Sequence, residues 1–192
     1  MKKFYLILFL FFSLKVFAES IKDYNLENFD IGSKITDYFS IPFIKKNELK
    51  GYFDTFDNPD LFAVIAIRDE KYLNDFEHVE IYYKKSDSII HSVVAGSFYS
   101  DIDKCYKDMD DYSNLLKSIF PYSQKIGPNT NSHYADPEQK STYTHIDFVT
   151  VDGTVGVHCY NWSQNMTLKN NWRDNIQIAI RSMEINNYIG YY

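Results

Sequence analysis

Residues 142–161 read TYTHIDFVTVDGTVGVHCYN, and their alternation decides the fold class. Ile146 and Phe148 share one parity, while His145 and Asp147 share the other, as in a strand with one buried face. Asp152-Gly153 is the favoured pair for a two-residue turn whose twist suits the strands it joins. A hairpin turning there sets Phe148 opposite Val157 and Ile146 opposite Cys159 on an apolar face. It sets Asp147 opposite His158, and His145 opposite Tyr160, on a polar face. Pairing by side-chain face and by turn chemistry agree, so this register is the expectation.

The apolar face needs a cover, and residues 101–119 supply it. Ile102, Cys105, Tyr106, Met109, Leu115, Leu116 and Ile119 recur at helical spacing, with the acids on the opposite side. Ser100 is the expected cap, Asp103 stands in the capping-box position, and Pro121 ends the helix. Cys105 on the helix stripe and Cys159 on the sheet face are therefore predicted to form a disulfide. Closing that loop stabilises the fold by roughly 3–5 kcal/mol in the chain-entropy model.

Working outward, Leu61 to Ile67 is apolar on both parities, which predicts a central strand covered on both faces. Val79, Ile81 and Tyr83 alternate with Glu80 and Tyr82, and Ile89 to Phe98 follows after Lys85-Ser86-Asp87, giving an antiparallel hairpin. Ile176, Ile178 and Ile180 mark a last strand, and Ser182 caps a short helix through Ile189. Near the start, Gly32-Ser33 opens a helical pattern through Ile35, Tyr38 and Phe39, and Ser40-Ile41-Pro42 opens a second. Tyr122 to Lys140 reads as a long polar loop of the kind that binds or covers ligands. The expected architecture is α+β. It has a mainly antiparallel sheet of about six strands packed on one long helix, with short N- and C-terminal helices.

Residues 1–18 have the form of a signal peptide: Lys2-Lys3, an apolar run from Phe4 to Leu14, and Val16-Phe17-Ala18 before the cut. The run is too short for a permanent span of a ~30 Å hydrocarbon core. No cysteine follows the cut to carry a lipid. The expectation is a periplasmic or secreted protein with one α+β domain over residues 19–192, in a compartment where two cysteines pair. Without residues 1–18, 17 basic face 26 acidic residues, a net charge near −9. That sign argues against nucleic acid and against anionic lipid as partners. The aromatic content, with 17 Tyr and 15 Phe, favours half-buried sheet surfaces.

One group of chemistry-bearing side chains emerges from the hairpin. His145, Asp147 and His158 fall on one face at cross-strand separations of about 4.5–8 Å. Two imidazoles and a carboxylate can bind a divalent metal, or the carboxylate can orient a histidine base. As ligands they need a fourth group, for which His133 and Asp136 in the polar loop are the candidates. A cross-strand Asp–His pair on a solvated hairpin is the plainer reading of the same residues. His78 and His91 lie on the early hairpin and read as packing or hydrated residues. Trp162 and Trp172 flank a polar segment, and Tyr143 and Tyr160 share the outer hairpin face, where rings can stack on a sugar or enter a partner's pocket. Asn161-Trp162-Ser163 and Asn165-Met166-Thr167 fit the glycosylation pattern. There is no GxSxG, HExxH, CxxC, SxxK or phosphate-binding loop in the sequence. These features point to an exported binding or accessory protein without a cofactor, recognising a protein or small molecule and not acting catalytically. A metal-assisted hydrolase built on His145, Asp147 and His158 is one alternative, and carbohydrate binding through exposed aromatics is another.

Overall fold

The computed structural model describes residues 20–191. The signal peptide expected over residues 1–18 lies outside them.

The chain enters through a short 3-10 turn at Ile21–Asp23 and a small hairpin, β1 (Asn25–Leu26) and β2 (Phe29–Asp30). Helix α1 (Ile41–Asn47) follows, with Pro42 in its first turn as expected. A seven-stranded antiparallel sheet then forms from β3 (Phe62–Ile67), β4 (His78–Lys84), β5 (Ile90–Phe98), β6 (Gln124–Ser132), β7 (Thr142–Val149), β8 (Gly153–Asn161) and β9 (Asn175–Ser182). Its spatial order is β3-β4-β5-β9-β8-β7-β6. Three further helices are α2 (Ile102–Ile119), α3 (Gln164–Asn170) and α4 (Met183–Ile189). The fold is α+β with a large antiparallel sheet and four described α-helices, so the sheet is larger and the helices more numerous than the sequence suggested.

Helix α2 covers one sheet face. Asp101 caps it in place of the expected Ser100, its carboxylate accepting the Asp103 N–H. Cys105, Met109 and Leu116 pack with Ile146, Phe148, Val155, Val157 and Cys159 in the main core, while Leu115 falls outside the stripe at 53% exposure. Cys105 and Cys159 are bonded, with Cα atoms 6.0 Å apart. The N-terminal segment closes the rest of this core with Ile21, Phe29, Ile35, Phe39 and Ile44. Among the described residues, no helix is long and apolar enough to cross a membrane.

The register of the β7–β8 hairpin differs from expectation by two residues. Thr144 faces Cys159, His145 faces His158, Ile146 faces Val157 and Asp147 faces Gly156. The turn is closed by Thr150 and Gly153, with Val151-Asp152 at its tip. Asp152 is held there because its carboxylate accepts the Ser20 hydroxyl (2.6 Å) and the Ile21 N–H (3.0 Å). Gly153 is extended and serves a close approach instead of a turn: a Cβ there would meet the Arg181 carbonyl of β9 at 2.1 Å. A slip of two conserves parity, so every side chain keeps the face assigned to it.

Two further corrections concern the sheet's ends. The apolar β3 is an edge strand, covered on both faces: Ala63, Ile65 and Ile67 join the core under α2, and Phe62 and Val64 join a second cluster with Phe53, Tyr82 and Ile185. The segment expected as a loop contains β6, a polar edge strand paired to β7 and bulged between Ile126 and Asn129. Its side chains are mostly exposed, so it carries no apolar alternation for the sequence to reveal.

Candidate functional site

The sheet face opposite α2 is divided. Over β3, β4 and part of β5, residues 48–56 and α4 bury an apolar patch. Over β7 and β8, polar and aromatic side chains stand on the sheet. Tyr143 and Tyr160 are directly paired, as are His145 and His158, and Asp147 lies across from Gly156.

The Asp147 carboxylate lies between the two histidines. Oδ2 is 2.7 Å from His145 Nδ1, and Oδ1 is 3.1 Å from His158 Nε2. The Tyr191 hydroxyl, brought back past α4, is 3.0 Å from His158 Nε2 and 3.3 Å from each Asp147 oxygen. Gly156 provides the floor: a Cβ there would sit 2.2 Å from Asp147 Oδ1 and 2.7 Å from His158 Nε2. Glycine weakens a strand interior, and here it makes room for side chains lying across the sheet. Burial pushes the Asp147 carboxyl up, but the hydrogen bond and charge of His158, the His145 hydrogen bond and the Arg181 charge outweigh it and bring it down to about 2. Burial moves His158 the other way, below the ordinary imidazole value, with its side chain only 1% exposed.

Arg181 extends the site from β9. It is buried, forms no ion pair within 4 Å among the described residues, and holds its guanidinium carbon 4.8 Å from the Tyr191 ring centre. Its Nη1 has no hydrogen-bond partner, and neither has the hydroxyl of Ser92, its cross-strand neighbour. Farther along, Tyr82 donates to Glu80 at 2.6 Å and pairs with the Tyr52 hydroxyl at 2.8 Å. Burial, then the Glu80 charge, pushes Tyr52 up to about 12. Burial likewise raises Glu80 above the usual carboxyl range.

At the other end of the face, rings accumulate. Tyr160 and Trp162 lie nearly parallel with centres 6.0 Å apart, and Tyr143 and Tyr160 do so at 6.1 Å. Trp172 packs on Trp162 at 4.4 Å. His133 stands among Trp162, Tyr143, Tyr160 and the exposed Tyr134. Of the residues expected to supply a fourth ligand, the structure places His133 in this aromatic group. It places Asp136 in a structural role: its carboxylate accepts from the Ser141 N–H and hydroxyl, the Glu138 N–H and the Ser163 hydroxyl, tying the β6–β7 loop to the start of α3. His78 and His91 lie on β4 and β5, stacked on Phe98 and hydrogen-bonded to Ser182 respectively.

His145, Asp147 and His158 are thus brought together, their ligand-capable atoms all within 4.8 Å of one another. Tyr191 and Gly156 were missed. Gly156 gave a signal, a glycine within a strand pattern, whereas Tyr191 arrives through a tertiary contact that no local pattern announces. No protein-family model, curated protein or solved structure matches this chain.

Proposed function

We propose that this chain is an exported, non-catalytic binding or accessory protein whose partner docks on the open sheet face over β7 and β8. The observation that carries the reading is the row of half-buried rings, Tyr143, Tyr160 and Trp162, on the face α2 leaves uncovered. Such rings lose little conformational entropy on binding and supply large contact area, which is why Tyr and Trp dominate binding hot spots. Acidic net charge selects a partner that is neutral or basic where it meets the rim. The disulfide fits an oxidising compartment.

Capture of partners from the source organism's envelope tests this, with Trp162→Ala as the matched control. A species retained by the native chain and lost by the variant supports the ring face, and equal retention by both refutes it.

The near-parallel packing of Tyr160 with Trp162 also favours a second reading, stacking of a sugar ring on the same row. Tryptophan fluorescence titrated with soluble oligosaccharides distinguishes it. A saturable change lost in Tyr160→Ala indicates a carbohydrate, and a flat response leaves the protein partner.

A further inference from the structure

We propose that His145, Asp147, His158 and Tyr191 form a binding site for one divalent transition-metal ion of the zinc class. The proposal stands apart from the ring face and does not depend on what docks there.

The spacing of the four side chains suits an ion. Four ligands at zinc distances of ~2.0–2.1 Å in a tetrahedron lie about 3.3–3.4 Å from one another. His158 Nε2 is 3.1 Å from Asp147 Oδ1 and 3.0 Å from Tyr191 Oη, and Tyr191 Oη is 3.3 Å from both carboxylate oxygens. These edges are already near the lengths an ion at the centre requires. His145 Nδ1, 2.7 Å from Asp147 Oδ2, supplies the remaining corner, and with the three ligand atoms within 4.8 Å of one another the cluster contracts to complete it.

Binding exchanges protons for the ion. His158 Nε2–H can donate to Asp147 or to the Tyr191 oxygen while the Tyr191 hydroxyl donates to Asp147, so protons close this triangle in the empty cluster. A cation takes their place, each corner then presenting a lone pair, and those protons are released.

The site is built into rigid structure. His145 and His158 are directly paired on adjacent strands, and Asp147 is one alternation along β7. Gly156 leaves open the space the cluster fills. The Asn131 amide nitrogen lies 3.4 Å from His145 Nε2, and turning that amide over presents its oxygen to the Nε2–H, the kind of outer partner metal-bound imidazoles have. Arg181 makes no ion pair with Asp147 within 4 Å, so the carboxylate oxygens are not shared with the guanidinium, although its charge is felt there. Two imidazoles with oxygen donors suit zinc over calcium or magnesium, which prefer all-oxygen shells.

The probe is ZnCl2 added to chelator-treated, disulfide-bonded protein and followed by calorimetry and thermal melting, with CoCl2 as a spectroscopic stand-in. One equivalent should bind and raise Tm, and Co2+ should give the intense visible bands of a four-coordinate site. His145→Ala changes a partly exposed ring and Asp147→Asn is isosteric, so circular dichroism can verify that both variants fold. Each should weaken Zn2+ roughly tenfold or more, the scale on which even outer partners act. His133→Ala should leave binding unchanged. The absence of a saturable heat and of a Tm shift would overturn the site. So would affinity unchanged from the native chain in the His145 and Asp147 variants, or an equal loss in His133→Ala.

Discussion

Gly156 lies directly across from Asp147, and the space above its α-carbon is filled by that carboxylate and by the His158 imidazole. The glycine and the cluster are therefore one design element. Gly156→Ala should cost about 1–3 kcal/mol, because the cluster is buried and hydrogen-bonded and has little room to yield. Urea unfolding measures this, and an unchanged midpoint would show that the cluster moves aside freely.

The disulfide links residues 54 positions apart and joins α2 to β8. Replacing both cysteines by alanine should remove roughly 4 kcal/mol, by the loop-length dependence of chain entropy. Denaturant midpoints of the native and the double variant provide the test, and coincident curves would mean that packing alone holds the helix.

Acid should loosen the loop before α3. Hydrogen bonds from Ser141, chiefly its hydroxyl, bring the Asp136 carboxyl down to about 2 despite its desolvation. A carboxyl whose folded pKa is depressed stabilises above its unfolded value near ~3.9, and that contribution fades as pH falls toward the folded value. The stability gap between the native chain and Asp136→Asn should thus be full above about pH 4 and close as pH approaches about 2. A gap independent of pH across that window would contradict the assignment.

The proposed export makes a prediction of its own. Intact mass of the protein recovered from its own host should correspond to a chain starting at Glu19, cut after Val16-Phe17-Ala18. A species still carrying Met1 would remove the basis for the exported reading.

Faces were easier to read than partners. Alternation along residues 142–161 assigned His145, Asp147 and His158 to one side and Cys159 to the other, and a two-residue slip leaves such assignments intact. The register itself was obscured because Asp152-Gly153 imitates a tight turn, while Gly153 in fact answers the approach of the Arg181 carbonyl. β3 resembled a central strand because both its faces are buried; local pattern reports covered faces and says nothing of neighbours in the sheet. β6 escaped because an exposed polar strand has no apolar face to alternate. Tyr191 and the lone guanidinium of Arg181 belong to the site through tertiary placement alone.

The two flanks of the sheet have a consequence for the protein in crowded solution. Along β3, the Leu49 N–H donates to the Val64 carbonyl, and Glu48 bridges to Ile65, so that margin is partly occupied. Along β6, Pro128 removes a backbone donor, and the bulge beside it breaks the spacing another strand would have to match. Neither margin offers a continuous template for a second molecule. A chain this rich in tyrosine and phenylalanine would otherwise be prone to stack edge to edge into fibrils, and these interruptions oppose that growth while leaving the ring-bearing face uncovered.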